Sequence, residues 1–409
     1  MPWKVSDVME QRFRLIERYH DSGESISELA RRFQVSRKTV YKWLQRYELG
    51  GIEALTDQSR RPLVQAGQTS AEIQAWIIDL RRTHPSWGPR KLRMWLERKH
   101  PEHHWPAEST MGLILQRNGL NGKRRQRRHA TPTAQPLEPA RAANDVWSID
   151  FKGWFCCGNG ERCDPLTVSD AASRYLLCCR AVAATDTAAV QAELTRVFRR
   201  YGLPRRMRSD NGSPFASTGV GGLTGLSVWW IRLGIEPERI QPGEPQQNGR
   251  HERMHRTLKA ETATPPAENL AAQQQRFARF VEIYNHQRPH EALDGDTPAD
   301  RYRASTREFP EKLRDLEYPP GMQLRKADEG GKFRWKQVRC PVGKALAHQI
   351  VGLEPVDDGV WRVWFGPVML GLLDERQGYS QTAVKENSHW PPLAPPRAFR
   401  DDEDNRRKV

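Results

Sequence analysis

Three acidic residues occupy positions where a carboxylate could do chemistry. Asp150 interrupts the apolar run Val146-Trp-Ser-Ile-Asp-Phe151, out of phase with Trp147, Ile149 and Phe151. A carboxylate in an apolar strand is costly unless it is paired or binds a cation. Asp210 closes a short strand at Ser209-Asp-Asn-Gly212, a strand-end loop of the kind that often builds a site. Glu252 opens a helix after the loop Pro242-Gly-Glu-Pro-Gln-Gln-Asn-Gly249. Each has an ordinary explanation: an edge-strand acid, an Asp-Asn-Gly turn, and a first-turn Glu favoured by the helix dipole. Around Glu252, His251-Glu-Arg-Met-His255 also matches the zinc-protease pattern H-E-x-x-H, with both imidazoles on one helical face. A catalytic zinc needs a third protein ligand, and no H-x-x-G-x-x-H extension follows. Cys156, Cys157 and Cys163 flank the Gly158-Asn-Gly160 turn without a paired C-x-x-C, so buried, inert thiols are expected rather than a zinc site.

The surrounding pattern is α/β. Val146–Cys156 alternates and ends in a hairpin signal, 165–169 and 175–182 read as strands, and 187–201 as a helix. A short strand at 205–209 and a helix at 226–233 follow, giving a mixed sheet of five strands over 144–305. From about 318 to 390 the chain is strand-rich again, with turns at Asp328-Glu-Gly-Gly331 and Asp357-Asp-Gly359, and a small β-barrel is expected. Residues 391–409 are proline-rich and charged, a composition expected to be disordered.

The N-terminal third is helical and basic. The 409 residues carry 65 Lys+Arg and 50 Asp+Glu, a formal net charge of +15. Residues 1–128 hold 25 and 14 of these, a net of +11, and the remainder 40 and 36, a net of +4. Such a skew points to a polyanion, commonly nucleic acid. Within 1–62, Phe13, Ile16 and Tyr19 mark one helix, and Ser25-Ile-Ser-Glu28 is a capping box for a second. The turn Gln34-Val35-Ser36 leads into a third, whose stripe is Val40, Trp43 and Leu44. Arg37, Lys38, Thr39, Tyr41 and Lys42 are left outward, the types that read groove edges and phosphates. Arg60 and Arg61 end the segment in a basic turn. A second helix-turn-helix-like unit covers 68–122, with Ser109 and Thr110 at the start of its last helix. A basic and proline-rich linker occupies 123–143, and Lys123, Arg124 and Arg125 are expected along a DNA backbone. No apolar run approaches the ~18 residues of a membrane span. No apolar signal core follows Met1, and six cysteines do not make a disulfide scaffold, so a reducing cytoplasm is expected.

Taken in order, the motifs resemble a known family. Trp147-Ser-Ile-Asp150, Ser209-Asp-Asn-Gly212, and Pro245-Gln-Gln-Asn-Gly-Arg-His-Glu252 with Leu258-Lys-Ala-Glu261 are similar to the three blocks of an integrase core. That core is the RNase H-like domain of bacterial insertion-sequence DDE transposases and retroviral integrases. Tyr284-Asn-His-Gln-Arg-Pro-His290 and Thr297-Pro-Ala-Asp-Arg-Tyr302 resemble the segment that closes it. Leu55-Thr-Asp-Gln-Ser-Arg-Arg-Pro62 and Trp87-Gly-Pro-Arg-Lys-Leu92 resemble the family's helix-turn-helix regions. One departure is the 41 residues between Asp210 and Glu252, more than the family usually has, which Gly219–Gly225 explains as an inserted flexible loop.

The resemblance implies a transposase acting on the terminal inverted repeats of a mobile element and on target DNA. Asp150, Asp210 and Glu252 would then be the catalytic, metal-binding triad holding two Mg²⁺, with Mn²⁺ able to substitute. Glu244 and Glu261 stand in reserve for Glu252, and Asp170 for Asp150. Arg256 and Lys259, at i+4 and i+7 from Glu252, would contact DNA on the same helical face. Pairing two DNA ends implies at least a dimer, in a bacterial cytoplasm at the nucleoid, with no membrane partner. The competing expectation is a DNA-binding regulator with a degenerate integrase core.

Overall fold

The computed structural model describes residues 7–57, 69–121, 137, 139–182, 184–241, 244–313 and 315–381. The chain divides into two units, 1–69 and 70–409.

The first unit is built on three helices, α1 (Val8–Asp21), α2 (Ile26–Arg32) and α3 (Arg37–Gly50), around Leu15, Ile16, Leu29, Val40, Trp43, Leu44 and Leu55. Ser25 and Glu28 cap α2 reciprocally, as the sequence predicts, and the Ser36 hydroxyl accepts from the Thr39 N–H to start α3. The phase of α1 differs from expectation. Leu15 and Ile16 are buried, whereas Phe13 and Tyr19 are 39% and 37% exposed. The core follows the pair Leu15–Ile16 and its neighbours on α2 and α3, and two aromatic positions read alone put the stripe on the wrong side.

The second unit begins with α4 (Ala71–Thr83), α5 (Pro89–Lys99) and α6 (Glu108–Arg117), packed around Ile77, Trp87, Leu92, Leu96, Trp105, Met111 and Leu115. The central sheet follows, comprising β1 (Val146–Phe151), β2 (Phe155–Cys156), β3 (Arg162–Asp170), β4 (Leu176–Val182), β5 (Arg206–Ser209) and β6 (Glu236–Arg239). Strand β1 is antiparallel to β3 and parallel to β5, β3 is antiparallel to β4, and β5 is parallel to β6. The sheet is mixed, as expected, but it has six strands rather than five. The run Val146–Cys156 breaks after Phe151, and only Phe155 and Cys156 rejoin β3 as a short extra strand.

One face of the sheet is apolar. Trp147, Ile149, Leu166, Val168 and Met207 pack under α7 (Thr187–Tyr201) and α8 (Gly225–Arg232) through Val190, Leu194, Phe198, Leu226 and Trp230. The opposite face carries Ser148, Asp150, Thr167 and Ser169, because Asp150 pairs with Thr167 and Ser148 with Ser169 across β1 and β3. Helices α9 (Gly249–Thr262) and α10 (Leu270–His286) cover that face, with Met254, Leu258, Phe277, Phe280 and Tyr284 on Cys163, Leu176 and Cys179. Two amides of α10 finish the free edge of β4. The Asn285 side chain accepts from the Leu176 N–H at 2.8 Å and donates to the Leu176 carbonyl at 3.0 Å. Three turns earlier on the same face of α10, Gln274 does the same for the Ala181 N–H at 2.9 Å and the Cys179 carbonyl at 3.1 Å.

The C-terminal strands are β7 (Gln323–Lys326), β8 (Lys332–Trp335), β9 (Val338–Pro341), β10 (Ile350–Asp357), β11 (Val360–Phe365), β12 (Val368–Asp374) and β13 (Gly378–Gln381). The expected β-barrel is not closed. An open antiparallel sheet in the order β13-β12-β11-β10-β7 stands beside a separate β8–β9 hairpin. Its apolar side is covered by the hairpin residues Phe333, Trp335 and Cys340 and by Leu223, Val228 and Ile231 of the core. Closure by hydrogen bonds is unnecessary where neighbouring elements already bury the face. The Gly219–Gly225 segment, expected as a flexible loop, is packed here. Gly221 and Gly222 are buried at φ +60° and +67°, and the Arg239 guanidinium donates to the Gly221 carbonyl at 2.7 Å, leaving no room for a side chain at Gly222.

Candidate active site

The sheet and α9 bring the three acids into one electrostatic neighbourhood. Asp150 sits near the end of β1, Asp210 directly after β5, the parallel neighbour of β1, and Glu252 in the first turn of α9. Burial, then the charge of Asp210 and more weakly that of Glu252, push the Asp150 carboxyl up to about 7. Lys152 opposes the shift. Asp210 is fixed by its own loop, accepting the Gly212 N–H at 3.1 Å, while the Asn211 side chain donates to the Ile240 carbonyl at 2.7 Å. Glu252 is exposed, and its neighbours His251, Met254 and His255 are buried against the sheet.

A hydroxyl network holds α9 down. The Thr167 hydroxyl lies 2.8 Å from His251 Nε2 and 2.6 Å from His255 Nε2, and it donates to the Asp150 carbonyl at 3.0 Å. A hydroxyl has one proton to give. With that proton on the Asp150 carbonyl, both Nε2 atoms must be the donors. His251 Nδ1 then accepts from Ser169, 2.8 Å away. The bare Nδ1 of His255 faces Asp150 Oδ2 at 3.7 Å, too long for a hydrogen bond. Burial drives the two imidazoles down to about 3 and about 2, so both are neutral and neither offsets the Asp150 charge.

Asp150, His251 and His255 each offer a ligand atom within 4.8 Å of one another, a third ligand that the H-E-x-x-H pattern alone did not supply. Both Nε2 atoms and His251 Nδ1 are already engaged by hydroxyls, and Glu252 is exposed. The histidines fasten the helix to the sheet. Asp150 also shares its neighbourhood with Asp210 and Glu252, and carboxylates are the hard oxygen donors that suit a divalent cation.

Comparison with known proteins matches this architecture block by block. Two integrase core domain models match residues 140–245 and 233–298, a helix-turn-helix domain matches 11–62, and a homeodomain-like domain matches 39–115. The C-terminal domain of the IS481 transposase family matches 322–380. An uncharacterized 31.7 kDa protein of insertion element IS407 from Burkholderia multivorans is 28% identical over 60% of this chain and 86% of its own length. Transposase InsD of insertion element IS2 from Escherichia coli is 28% identical over 54% of this chain and 74% of its own. The chain is an insertion-sequence transposase with an integrase-like core. Among solved structures, the HTLV-2 integrase catalytic core domain in complex with magnesium is similar at 13% identity and a TM-score of 0.32, covering 41% of this chain and 100% of that one.

In the transposase, the outward residues of α3 are where the sequence puts them. Arg37, Lys38, Tyr41 and Lys42 are exposed, while Thr39 is half-buried with its hydroxyl 2.9 Å from Ser36 Oγ. Trp43 sits beneath Arg12, Lys42 and Arg46, at 3.9, 4.8 and 5.0 Å from its ring. Ser109 is exposed and Thr110 half-buried on α6. Arg256 and Lys259 are exposed on the same side of α9 as Glu252. Arg60, Arg61, Lys123, Arg124 and Arg125 lie outside the described residues. The reserve acids have other partners. Asp170 is buried, accepting from the Ser173 N–H and hydroxyl and the Asn144 N–H at 2.6–2.7 Å. Glu261 pairs with Arg288 at 3.1 Å and with the Ser86 hydroxyl, and Glu244 accepts from Gln246 at 2.7 Å. Burial pushes the Cys163 thiol up to about 12 and Cys179 well above its usual range, which opposes thiolate formation, whereas Cys156, expected to be buried, is exposed. Sequence reasoning missed Thr167, Ser169 and Lys152. Polar residues alternating through the otherwise buried β3 were the signal for the first two.

Proposed function

We propose that Asp150, Asp210 and Glu252 bind divalent metal, Mg²⁺ with Mn²⁺ able to substitute, for phosphodiester hydrolysis at the element's ends and strand transfer into target DNA. The observation that carries this reading is the raised Asp150 carboxyl, whose charged form is disfavoured by burial and by two neighbouring carboxylates. Divalent cations between such acids neutralise the cluster, activate water and stabilise the attacking and leaving oxygens of an in-line displacement. The protein's own part is to hold the acids in place. Thr167 and the two histidines seat α9 on β3, and the Asp210 loop is closed by its hydrogen bonds to Gly212 and Ile240. Lys152, Arg256 and Lys259 supply positive charge for the phosphates on either side of the reacting one. Arg37, Lys38, Thr39, Tyr41 and Lys42 read the terminal repeats as a recognition helix, with Ser109 and Thr110 of α6 as a second contact. Joining two ends makes the active species at least a dimer on DNA. Among the described residues no helix is long and apolar enough to cross a membrane.

The test is Mg²⁺-dependent joining of an oligonucleotide that carries the element's end. Asp150→Asn, Asp210→Asn and Glu252→Gln are each expected to lower the joining rate by at least roughly 10³-fold, since metal-centred charge stabilisation contributes several kcal/mol. Joining at the unmodified rate in all three would remove the triad assignment.

A further inference from the structure

The backbone leaves β1 just past Asp150 and opens a groove beside the acids. Lys152, Trp154 and Phe155 form one wall, and Leu258, Lys259 and Phe277 from α9 and α10 form the other. It encloses about 220 Å³, below the ~300–1,000 Å³ of drug-sized ligand clefts. Its lining includes two lysines and no carboxylate. Trp154 is 61% exposed, and among the described residues it is the one tryptophan with a mostly exposed side chain. The Arg162 guanidinium braces its ring from 5.2 Å and is itself held by Asp164 through contacts of 2.6 and 3.0 Å. The positive charge of Lys152 reaches both Asp150 and His255, so the groove begins where the acid cluster ends.

A lone exposed apolar side chain is ordinary on a protein surface. Packing does not account for an indole pinned by an ion pair, lining an acid-free groove between two lysines. We propose that this groove takes one unpaired nucleotide of the DNA strand adjoining the phosphodiester at Asp150. The base stacks on the Trp154 indole, and the flanking phosphates lie at Lys152 and Lys259. Stacking on an aromatic face tolerates any base, so the groove holds a frayed strand end without reading its sequence. The proposal rests on the reading of Asp150 as a reacting-centre ligand, which fixes where the strand runs.

The test uses the full chain and three fluorescent probes sharing one 20-base-pair duplex. One is blunt, one carries a four-nucleotide dT overhang, and one carries an overhang of four abasic sites. The wild type is expected to bind the dT overhang at least roughly 10-fold more tightly than the blunt duplex, the range of one to two stacked bases. The abasic overhang is expected to gain little. Trp154→Ala is expected to abolish the ratio between dT-overhang and blunt affinities, and Trp154→Phe to keep part of it. An equal ratio in wild type and Trp154→Ala, an equal gain from abasic sites, or no gain in the wild type would each overturn the groove. Asp150→Asn, assayed for joining in parallel, keeps the two readings apart. Joining retained in that variant defeats the triad, whereas the overhang ratio alone decides the groove.

Discussion

Protonation gives the buried side chains a measurable signature. His251, His255 and His290 are held down to about 3, about 2 and about 3 by burial, and His84 is also lowered. An unfolded chain binds protons on these residues below about pH 6.5 while the folded one does not, so the stability they add is complete above that pH and lost as pH falls. Asp150, raised to about 7, acts in the opposite sense between about pH 4 and 7, because the folded state there holds the proton, and Asp170 is raised in the same direction. Four histidines outweigh two acids. The urea-unfolding free energy of the metal-free protein is therefore expected to fall by about 1–3 kcal/mol between pH 6 and pH 5. A flat or rising profile over that interval would contradict the neutral state of the buried imidazoles. Asp150, Asp210 and Glu252 were legible in the sequence because acids stand out in apolar strands and at element ends. Thr167 was not, since its role exists only once β3 has paired with β1 and α9 has settled across both.

Edges decide how the elements hold together. Strand β4 has one hydrogen-bonded neighbour in the central sheet, and an unpaired edge is an open template for another chain. Asn285 and Gln274 close it with side-chain amides, three turns apart on α10. Asn285 is 1% exposed, so Asn285→Ala leaves the Leu176 N–H and carbonyl buried without these partners. The expected cost is about 2–4 kcal/mol, read as a fall of roughly 5–15 °C in the Tm of the second unit by calorimetry. A Tm within 1–2 °C of wild type (roughly 0.5 kcal/mol) would show that the edge needs no such clamp. Strand and helix periodicity revealed β1, β3, β4, β5 and α7 from sequence, because one face of each is apolar. The barrel expectation failed for a complementary reason. Alternation shows that a strand has a buried face, but not whether that face meets another strand or a helix from elsewhere in the chain.

At the scale of the whole chain, the division of charge and the division of packing do not coincide. The net +11 of residues 1–128 spans the first unit and the opening helices of the second. Those opening helices are tied to the core by ion pairs, Arg98 with Asp300 at 2.5 Å and Arg90 with Glu291 at 3.1 Å. The C-terminal strands are tied to it by apolar contact, with Val351, Leu353, Val363 and Leu370 sharing one cluster with Leu223, Val228 and Ile231. A fragment of residues 70–305 would leave that side of α8 uncovered. It is expected to be insoluble on expression, while residues 70–381 give a soluble product resistant to limited proteolysis. A soluble, monomeric 70–305 fragment would show that the contact is dispensable. If the contact is required, it also bears on how such an element decays. A premature stop codon late in the gene yields a chain that aggregates or is degraded, not a shortened protein able to occupy DNA ends. Inactive copies then fall silent without acting as inhibitors of the intact copies beside them.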